Sequence, residues 1–477
     1  MDTATIALTD QAVEHARSAI EQLALAVWDM PELSLHEVTS SQTVQHMVQD
    51  HGFTIASTGT AGVPTAFVAE WGTGVPRIGF LPEYDALPGL GNAAVPRQEP
   101  RADGKTVGHG CGHNLLGAGL VGAAIALKEY LETHGLPGTI RIYGCAAEET
   151  EGAKVYMARE GLFDDLDAAL HWHPAPIAAV ANIHLSAVNQ MKVEFYGRSA
   201  HAGNEPWKGR SAVHAAEVFS HAVNVMREHL EPTARIHYVY EVAGVAPNVV
   251  PDYARIWLVV RDADRGRVEA TTAWLLEAGE GAAQATQTRA EANVHFGLYN
   301  LLPNTPLAQR TQAHLERVGT PAWTEEEIAF ARECEQNSGA EPKGLAQAVL
   351  PLLPEPKLGG SSDVGDVSWN TPTMGIAMPT FPLGVGLHAW PVTACGGMSI
   401  GLKGCIQAAR VLAAVAADIM TDAGLRQEAR ADFARRTAGM PYVSPLPDGQ
   451  KRPLGVPDWM ITDGSQQMVA DMEQVSS

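Results

Sequence analysis

The sequence predicts an α/β protein: a catalytic-type domain with a mostly parallel central sheet flanked by helices, interrupted by an inserted α+β unit. Three observations predict it. Short buried-type strands alternate with helical patterns through the first 180 residues. Residues able to do chemistry follow directly on those strands, where parallel sheets collect ligands. Residues 190–299 then switch to half-exposed alternation in the order β-α-β-β-α-β.

Taken in order, Val13, Ala16, Ile20, Leu23 and Val27 recur at helical spacing, which predicts a helix over about 10–29, stopped by Pro31. A second helix is expected over about 40–51. Strands are expected at 64–71 and 77–82, the latter running into Glu83-Tyr84-Asp85. A glycine-rich stretch, Gly108-His109-Gly110-Cys111-Gly112-His113-Asn114, precedes a helix over about 120–130. The buried-type strand at 138–145 ends in Ala146-Ala147-Glu148-Glu149, and a short strand at 168–170 ends at His171. Strands at 191–196, 235–242, 253–261 and 291–299, with helices over about 211–229 and 265–278, make up the inserted unit. Residues 301–356 give no clear pattern. A strand at 373–377 and a long helix over 399–422 follow, and the proline-rich tail from 439 carries no recognisable chemistry. The expected division is therefore 1–187 with 303–477 as one discontinuous catalytic domain, and 188–302 as a lid or dimerisation domain.

At 477 residues, 45% hydrophobic and 18% charged, the chain has the composition of a globular protein with a large core. A net charge of -21 without any basic run argues against nucleic acid and anionic membranes. No apolar stretch is expected to cross a membrane. Residues 1–10 lack the basic start and apolar block of a secretory signal. Five cysteines (111, 145, 334, 395 and 405) are too few, and odd in number, for a disulfide scaffold. The expectation is a reduced, cytoplasmic protein.

Cys111 and His113 sit two apart among glycines that let short side chains converge, and both are borderline-soft donors suited to zinc and its neighbours. A buried cysteine beside a surface histidine would fit the same residues. Glu148-Glu149 at a strand end offers one carboxylate to a metal and one to general-base work, or simply a solvated acidic turn. His171-Trp172-His173-Pro174 offers two imidazoles that alternation could aim the same way, one of them structural. His388, isolated in a glycine-rich loop, would alone be an ordinary loop histidine. Ser361-Ser362-Asp363 lacks the elbow of a serine hydrolase, and no phosphate-binding glycine loop is present.

Together these motifs, with Arg198-Ser199-Ala200-His201-Ala202-Gly203, Asn248-Val249-Val250-Pro251-Asp252 and Gly386-Leu387-His388-Ala389-Trp390, resemble the M20 family of metallopeptidases and amidohydrolases. The resemblance runs from Pro31 to about Gln407 and falls toward the aminobenzoyl-glutamate branch. It implies two divalent metal ions per chain, Mn2+ or Zn2+ with Co2+ also suited. The ligands it implies are Cys111 (bridging), His113, Glu149, His171 and His388. It also implies Glu148 as general base to a metal-bound water and His201 as the oxyanion group, typically across a dimer interface. Asn248 and Arg261 would bind the substrate carboxylate, and Asp85 would orient the metal site from behind.

The chain departs from many relatives at Asn114, where they carry Asp, and at Ser362-Asp363-Val364, where amidohydrolases show Glu-Asp-Phe. Glu83 stands where peptidase members have a histidine, and 301–356 is an extra segment. The implied activity is metal-dependent hydrolysis of the amide bond of an N-acyl or aroyl amino acid such as p-aminobenzoyl-glutamate. The implied assembly is a homodimer, or a heteromer with a homologous subunit, through the lid. The rivals are a dipeptidase or aminopeptidase of the same family, and a non-catalytic partner subunit.

Overall fold

The computed structural model of the protein describes residues 3–457 and Met460; residues 461–477 of the expected second catalytic segment lie outside the described residues. Eleven strands are present among the described residues: β1 (Thr54–Thr58), β2 (Phe67–Thr73), β3 (Arg77–Phe80), β4 (Gly138–Gly144), β5 (Ala168–Ala175), β6 (Ala179–Val180), β7 (Ala187–Tyr196), β8 (Arg235–Ala243), β9 (Tyr253–Asp262), β10 (Arg289–Leu298) and β11 (Thr373–Pro379). Seven form one sheet in the order β1-β2-β4-β3-β5-β11-β6. Its centre, β4-β3-β5-β11, is parallel, and the outer pairings are antiparallel. The central strands are mostly buried, as parallel strands covered on both faces must be.

Helices Thr3–Asp29, His113–His134 and Ser399–Thr421 pack against one another and, through the latter two, against this sheet. Helix His113–His134 is buried along nearly its whole length, so it is apolar on every side. Its close approach to β5 depends on Gly119, where a Cβ would lie 2.9 Å from Trp172 Nε1. Helix Ser399–Thr421 corrects one expectation, because it is long and apolar enough to cross a membrane. Its residues from Ile400 to Met420 are mostly buried in this core, which explains the composition without a bilayer.

β7, β8, β9 and β10 form a separate antiparallel sheet in the order β10-β7-β9-β8. Helices Ala212–Met226 and Arg265–Thr286 cover one face, with their own apolar cluster around Phe195, Phe219, Ile256 and Leu275. The β-α-β-β-α-β order expected for this stretch is the order observed. The stretch that gave no pattern contains helices Thr305–Val318 and Glu325–Asn337, the second opened by a Thr324–Glu327 capping box. β1 and helix Ala423–Thr437 were also not anticipated.

One strand boundary matters for the site. The strand expected at 168–170 continues as β5 to Ala175, paired in register with β11, so His171 lies opposite Gly375 inside the sheet rather than beyond its end.

Candidate metal centre

The glycine-rich loop ends at Gly112, whose φ of +80° lets the chain turn into helix His113–His134. A Cβ there would also lie 2.8 Å from Pro174. His113 is thus the first residue of the helix, one residue later than the turn and two after Cys111. Its Nδ1 meets Asp85 Oδ1 at 2.8 Å. The Asp85 carboxylate accepts, so Nδ1 carries a proton, and Nε2 is the nitrogen that would face a cation. That Nε2 is buried without a hydrogen-bond partner.

Asp85 also holds the opposite wall. Its Oδ2 accepts the Glu149 backbone N–H at 3.0 Å and the Ser34 hydroxyl at 2.8 Å. Burial disfavours its charge, but the His113 imidazole and these donors bring the carboxyl down to about 2. The residue expected to orient the site from behind therefore ties His113 to the Glu148-Glu149 turn.

His173 Nδ1 donates to Pro174 O at 2.7 Å, which leaves the Nε2 lone pair facing Cys111 Sγ at 3.4 Å. Cys111, His113 and His173 bring ligand atoms within 4.8 Å of one another; so do Cys111, Glu149 and His388. His388 Nε2 lies 3.3 Å from Glu149 Oε2, and its backbone, at φ +60°, is anchored by its N–H to Gly110 O at 2.8 Å. Glu149 Oε1 is buried and unpartnered.

The structure brings four of the expected ligands together, Cys111, His113, Glu149 and His388, and leaves one out. His171 is not in either group. Its imidazole lies over Gly375, where a Cβ would come within 2.4 Å of the ring, four residues before the end of β5. His173 stands in its place. The cause is the length of β5: alternation puts both histidines on one face, and the second lies two residues nearer the strand's carboxyl end. The doublet itself was the available signal, and the Pro174 carbonyl that fixes the tautomer decides between its members.

The donors fit a metal. Burial pushes the Cys111 thiol well up, so a thiolate here needs a cation beside it. Two imidazoles, a thiol and a carboxylate converge on one pocket, where His113 Nε2 and Glu149 Oε1 are buried without a hydrogen-bond partner.

Glu148 lies next to these groups, in a third cluster with Glu83 and His113. Burial, then the carboxylates of Glu83 and Asp363, raise its carboxyl well above the usual range.

The remaining candidates lie on the second sheet. His201 and Asn248 share one exposed ribbon, with Ala202 N–H donating to Asn248 O at 3.0 Å. His201 Nδ1 accepts from Gly203 N and Asn204 N at 3.2 and 3.1 Å, so its proton sits on the outward Nε2. Arg261 is near the other end of β9, where Nη1 donates to Ser361 Oγ at 3.1 Å. No carboxylate pairs with it among the described residues. Arg261 lies eight positions along β9 from Tyr253, at the His201 end, which is about 27 Å. None of the three touches the cluster around Cys111 among the described residues.

The family model for peptidase family M20/M25/M40 matches residues 80–350, which spans the loop, both carboxylates, the histidine doublet and the inserted sheet. The chain belongs to this family. Along its length this M20 chain is 36% identical over 465 residues to one of the subunits of the p-aminobenzoyl-glutamate hydrolase of Escherichia coli, covering 92% of this chain and 96% of that protein. It is 28% identical over 455 residues to the Xaa-Arg dipeptidase of Homo sapiens, covering 91% and 93%. Its fold is shared with a dinuclear metal-binding peptidase of the M20 family from Bacillus subtilis, at a TM-score of 0.59 and 18% identity over 85% of this chain and 99% of that one. The M20 chain is an enzyme, a metal-dependent hydrolase of amide bonds.

Proposed function

We propose that this M20 hydrolase cleaves the amide bond of an N-acyl or aroyl amino acid such as p-aminobenzoyl-glutamate. Two divalent ions, Mn2+ or Zn2+ with Co2+ also suited, would be held by Cys111, His113, His173, Glu149 and His388. The observation that carries this reading is that Cys111 Sγ belongs to two of the three groups, which would let it serve both ions. When bound, such ions polarise a carbonyl and acidify a water.

The chain's own residues do the rest. Glu148 takes the proton of the attacking water and returns it to the leaving amine, a role suited by its raised pKa. His201 donates its Nε2 proton to the developing oxyanion, a contribution worth about 3 kcal/mol per donor. Arg261, with no carboxylate partner among the described residues, receives the substrate carboxylate together with Asn248. Because the His201–Asn248 ribbon and Arg261 lie at opposite ends of β9, one substrate meets both only if two chains contribute. The unit 188–302 would thus act as a lid in a homodimer, or in a heteromer with a homologous subunit, as the name of the Escherichia coli relative suggests. Five free cysteines support a reducing, cytoplasmic setting.

A dipeptidase reading also has support: the net charge of -21 favours a cationic substrate, and similarity to an Xaa-Arg dipeptidase runs over 91% of the chain. The test is elemental analysis of the chain purified alone, with hydrolysis of p-aminobenzoyl-glutamate and of an Ala-Arg dipeptide before and after chelation. Two ions per chain with chelator-sensitive release of glutamate is expected. Cleavage of the dipeptide alone transfers the activity to the second reading. Two ions with neither activity points to a subunit that needs its homologue, and no bound metal after reconstitution rejects the centre.

A further inference from the structure

In a chain of net charge -21, arginines without an acidic partner stand out, and three of them gather at one end of the second sheet. β8 and β9 run antiparallel with Arg235 directly opposite Arg261 and His237 opposite Val259. Alternation buries Ile236, Leu258 and Val260 against the helices, so Arg235, His237 and Arg261 share the open face. Arg227 reaches the same place: burial, then the charges of Arg261 and Arg227, lowers the pKa of His237.

None of the three arginines has a carboxylate partner among the described residues. Arg235 Nη1 donates to the carbonyls of Pro232 and Ala234 at 2.6 and 2.7 Å. Arg227 Nε donates to Asn224 Oδ1 at 3.3 Å, and Arg261 Nη1 to Ser361 Oγ at 3.1 Å. The acid next to Arg261 in sequence, Asp262, lies on the opposite face of β9, is 2% exposed, and accepts the Thr233 hydroxyl at 2.7 Å. Burial alone lowers the pKa of Arg261, with no acid to offset it.

Like charges directly opposite on paired strands are destabilising, so an anion between Arg235 and Arg261 would relieve the pair. Its expected size follows from the ladder. Cβ atoms of such a pair lie about 4.5–5.5 Å apart. The two carboxyl carbons of an extended glutamate lie about 5 Å apart, across four carbon–carbon bonds. Each guanidinium can take one carboxylate in a two-pronged, charge-assisted contact. This end of β9 also faces the catalytic unit. Arg261 touches Ser361, and in the same loop Asp363 Oδ2 accepts Lys154 N at 3.1 Å, just past the Glu148-Glu149 turn.

We propose that Arg235 is a specificity residue. With Arg261 on the α-carboxylate, Arg235 receives a second carboxylate on the amino-acid side chain, so the enzyme selects N-acyl acidic amino acids, with glutamate the best-fitting spacing. The inference rests on the amide hydrolysis proposed above and adds a reason for the choice of leaving amino acid. The chain-wide negative charge draws cations, but at this end the local field is reversed, and a dipeptide ending in arginine meets like charge.

The test compares kcat/KM of the chain, reconstituted with Mn2+, for p-aminobenzoyl-glutamate and p-aminobenzoyl-glutamine, which differ in the charge of the side-chain terminus. The wild type is expected to prefer the glutamate compound at least about thirtyfold. In Arg235→Gln that preference is expected to fall at least about tenfold, chiefly through KM, while Arg235→Lys retains most of it. The preference is a ratio within one sample, so a partly unfolded variant does not change it. Similar wild-type kcat/KM values for the two compounds overturn selection of a second carboxylate and leave the hydrolysis standing. An undiminished preference in Arg235→Gln overturns the role of Arg235. Hydrolysis of neither compound with two ions bound overturns the proposed substrate class, and this inference with it.

Discussion

The Glu37 carboxylate accepts the backbone N–H of Ala147 at 2.7 Å, across 110 residues of sequence. Its other oxygen accepts the Thr65 hydroxyl at 2.9 Å. Ala147 has φ +55° and directly precedes Glu148, so this buried contact helps to hold the turn that aims the proposed base. Burial, then the neighbouring Asp85 charge, pushes the Glu37 carboxyl up to about 8, so near neutral pH it is mostly protonated.

A neutral side chain should therefore serve. Glu37→Gln keeps an acceptor for Ala147 and is expected to retain most activity. Glu37→Ala releases the turn and is expected to lower kcat by about ten- to a hundredfold. Metal content in both should match the wild type. Equal kcat values for the two variants would remove the positioning role.

Glu148→Gln removes the base without removing any proposed ligand. Turnover is expected to fall by about 10²–10⁴-fold with two ions still bound by elemental analysis. Activity near the wild-type level would assign proton transfer elsewhere.

The histidine doublet separates cleanly by mutation. His173→Ala should lose metal affinity and activity together. His171→Ala should keep both ions and change mainly thermal stability, because its ring packs over Gly375 rather than beside Cys111. The reverse pattern in metal content would restore His171 to the site.

Gly375→Ala would drive a methyl to 2.4 Å from the His171 ring. The strand pair cannot open without breaking the β5–β11 ladder, so a loss of about 1–3 kcal/mol is expected in urea unfolding. Pairing it with His171→Ala should recover much of that loss. If the double variant is as unstable as the sum of the singles, the clash is not the cause.

Asp366 gives a pH dependence far from the proposed ligands. It is fully buried, accepting from Tyr299 N at 3.1 Å and from Tyr442 OH at 2.8 Å. Burial, only partly offset by those donors, raises its carboxyl to about 7 from an ordinary 3.8. Below 3.8 both folded and unfolded chains hold the proton. Between 3.8 and about 7 only the unfolded chain releases it, so stability falls as pH rises, by up to about 1.4 kcal/mol per unit. The stability difference between wild type and Asp366→Asn should therefore shrink from pH 5 to pH 7 and level off above. A difference independent of pH would mean that Asp366 titrates normally.

Most of the architecture and part of the site could be read from residue order. Periodicity of 2 and 3.6 distinguishes strands from helices locally, so the β-α-β-β-α-β insertion and the core helices at 10–29 and 399–422 were legible. Helices Thr305–Val318 and Glu325–Asn337 were not, because both are polar on average, although the first buries Leu307, Ala308, Thr311 and Leu315 along one face. Cys111, His113, Glu148, Glu149 and His388 announced themselves by type and place in motifs.

What the sequence determined by itself is the inventory: an acidic M20 chain, its donor types, and the strand ends near which those donors fall. Which donors meet was decided only by tertiary structure. Strand pairing with β11 carried β5 to Ala175 and so exchanged His171 for His173. Asp85, Pro174 and Gly203 oriented the imidazoles, and Lys154 joined Glu83 to Asp363. Those choices depend on contacts between residues up to some two hundred positions apart, as between Lys154 and Asp363. Local periodicity cannot encode them, because each is set by packing and hydrogen bonding across the folded chain.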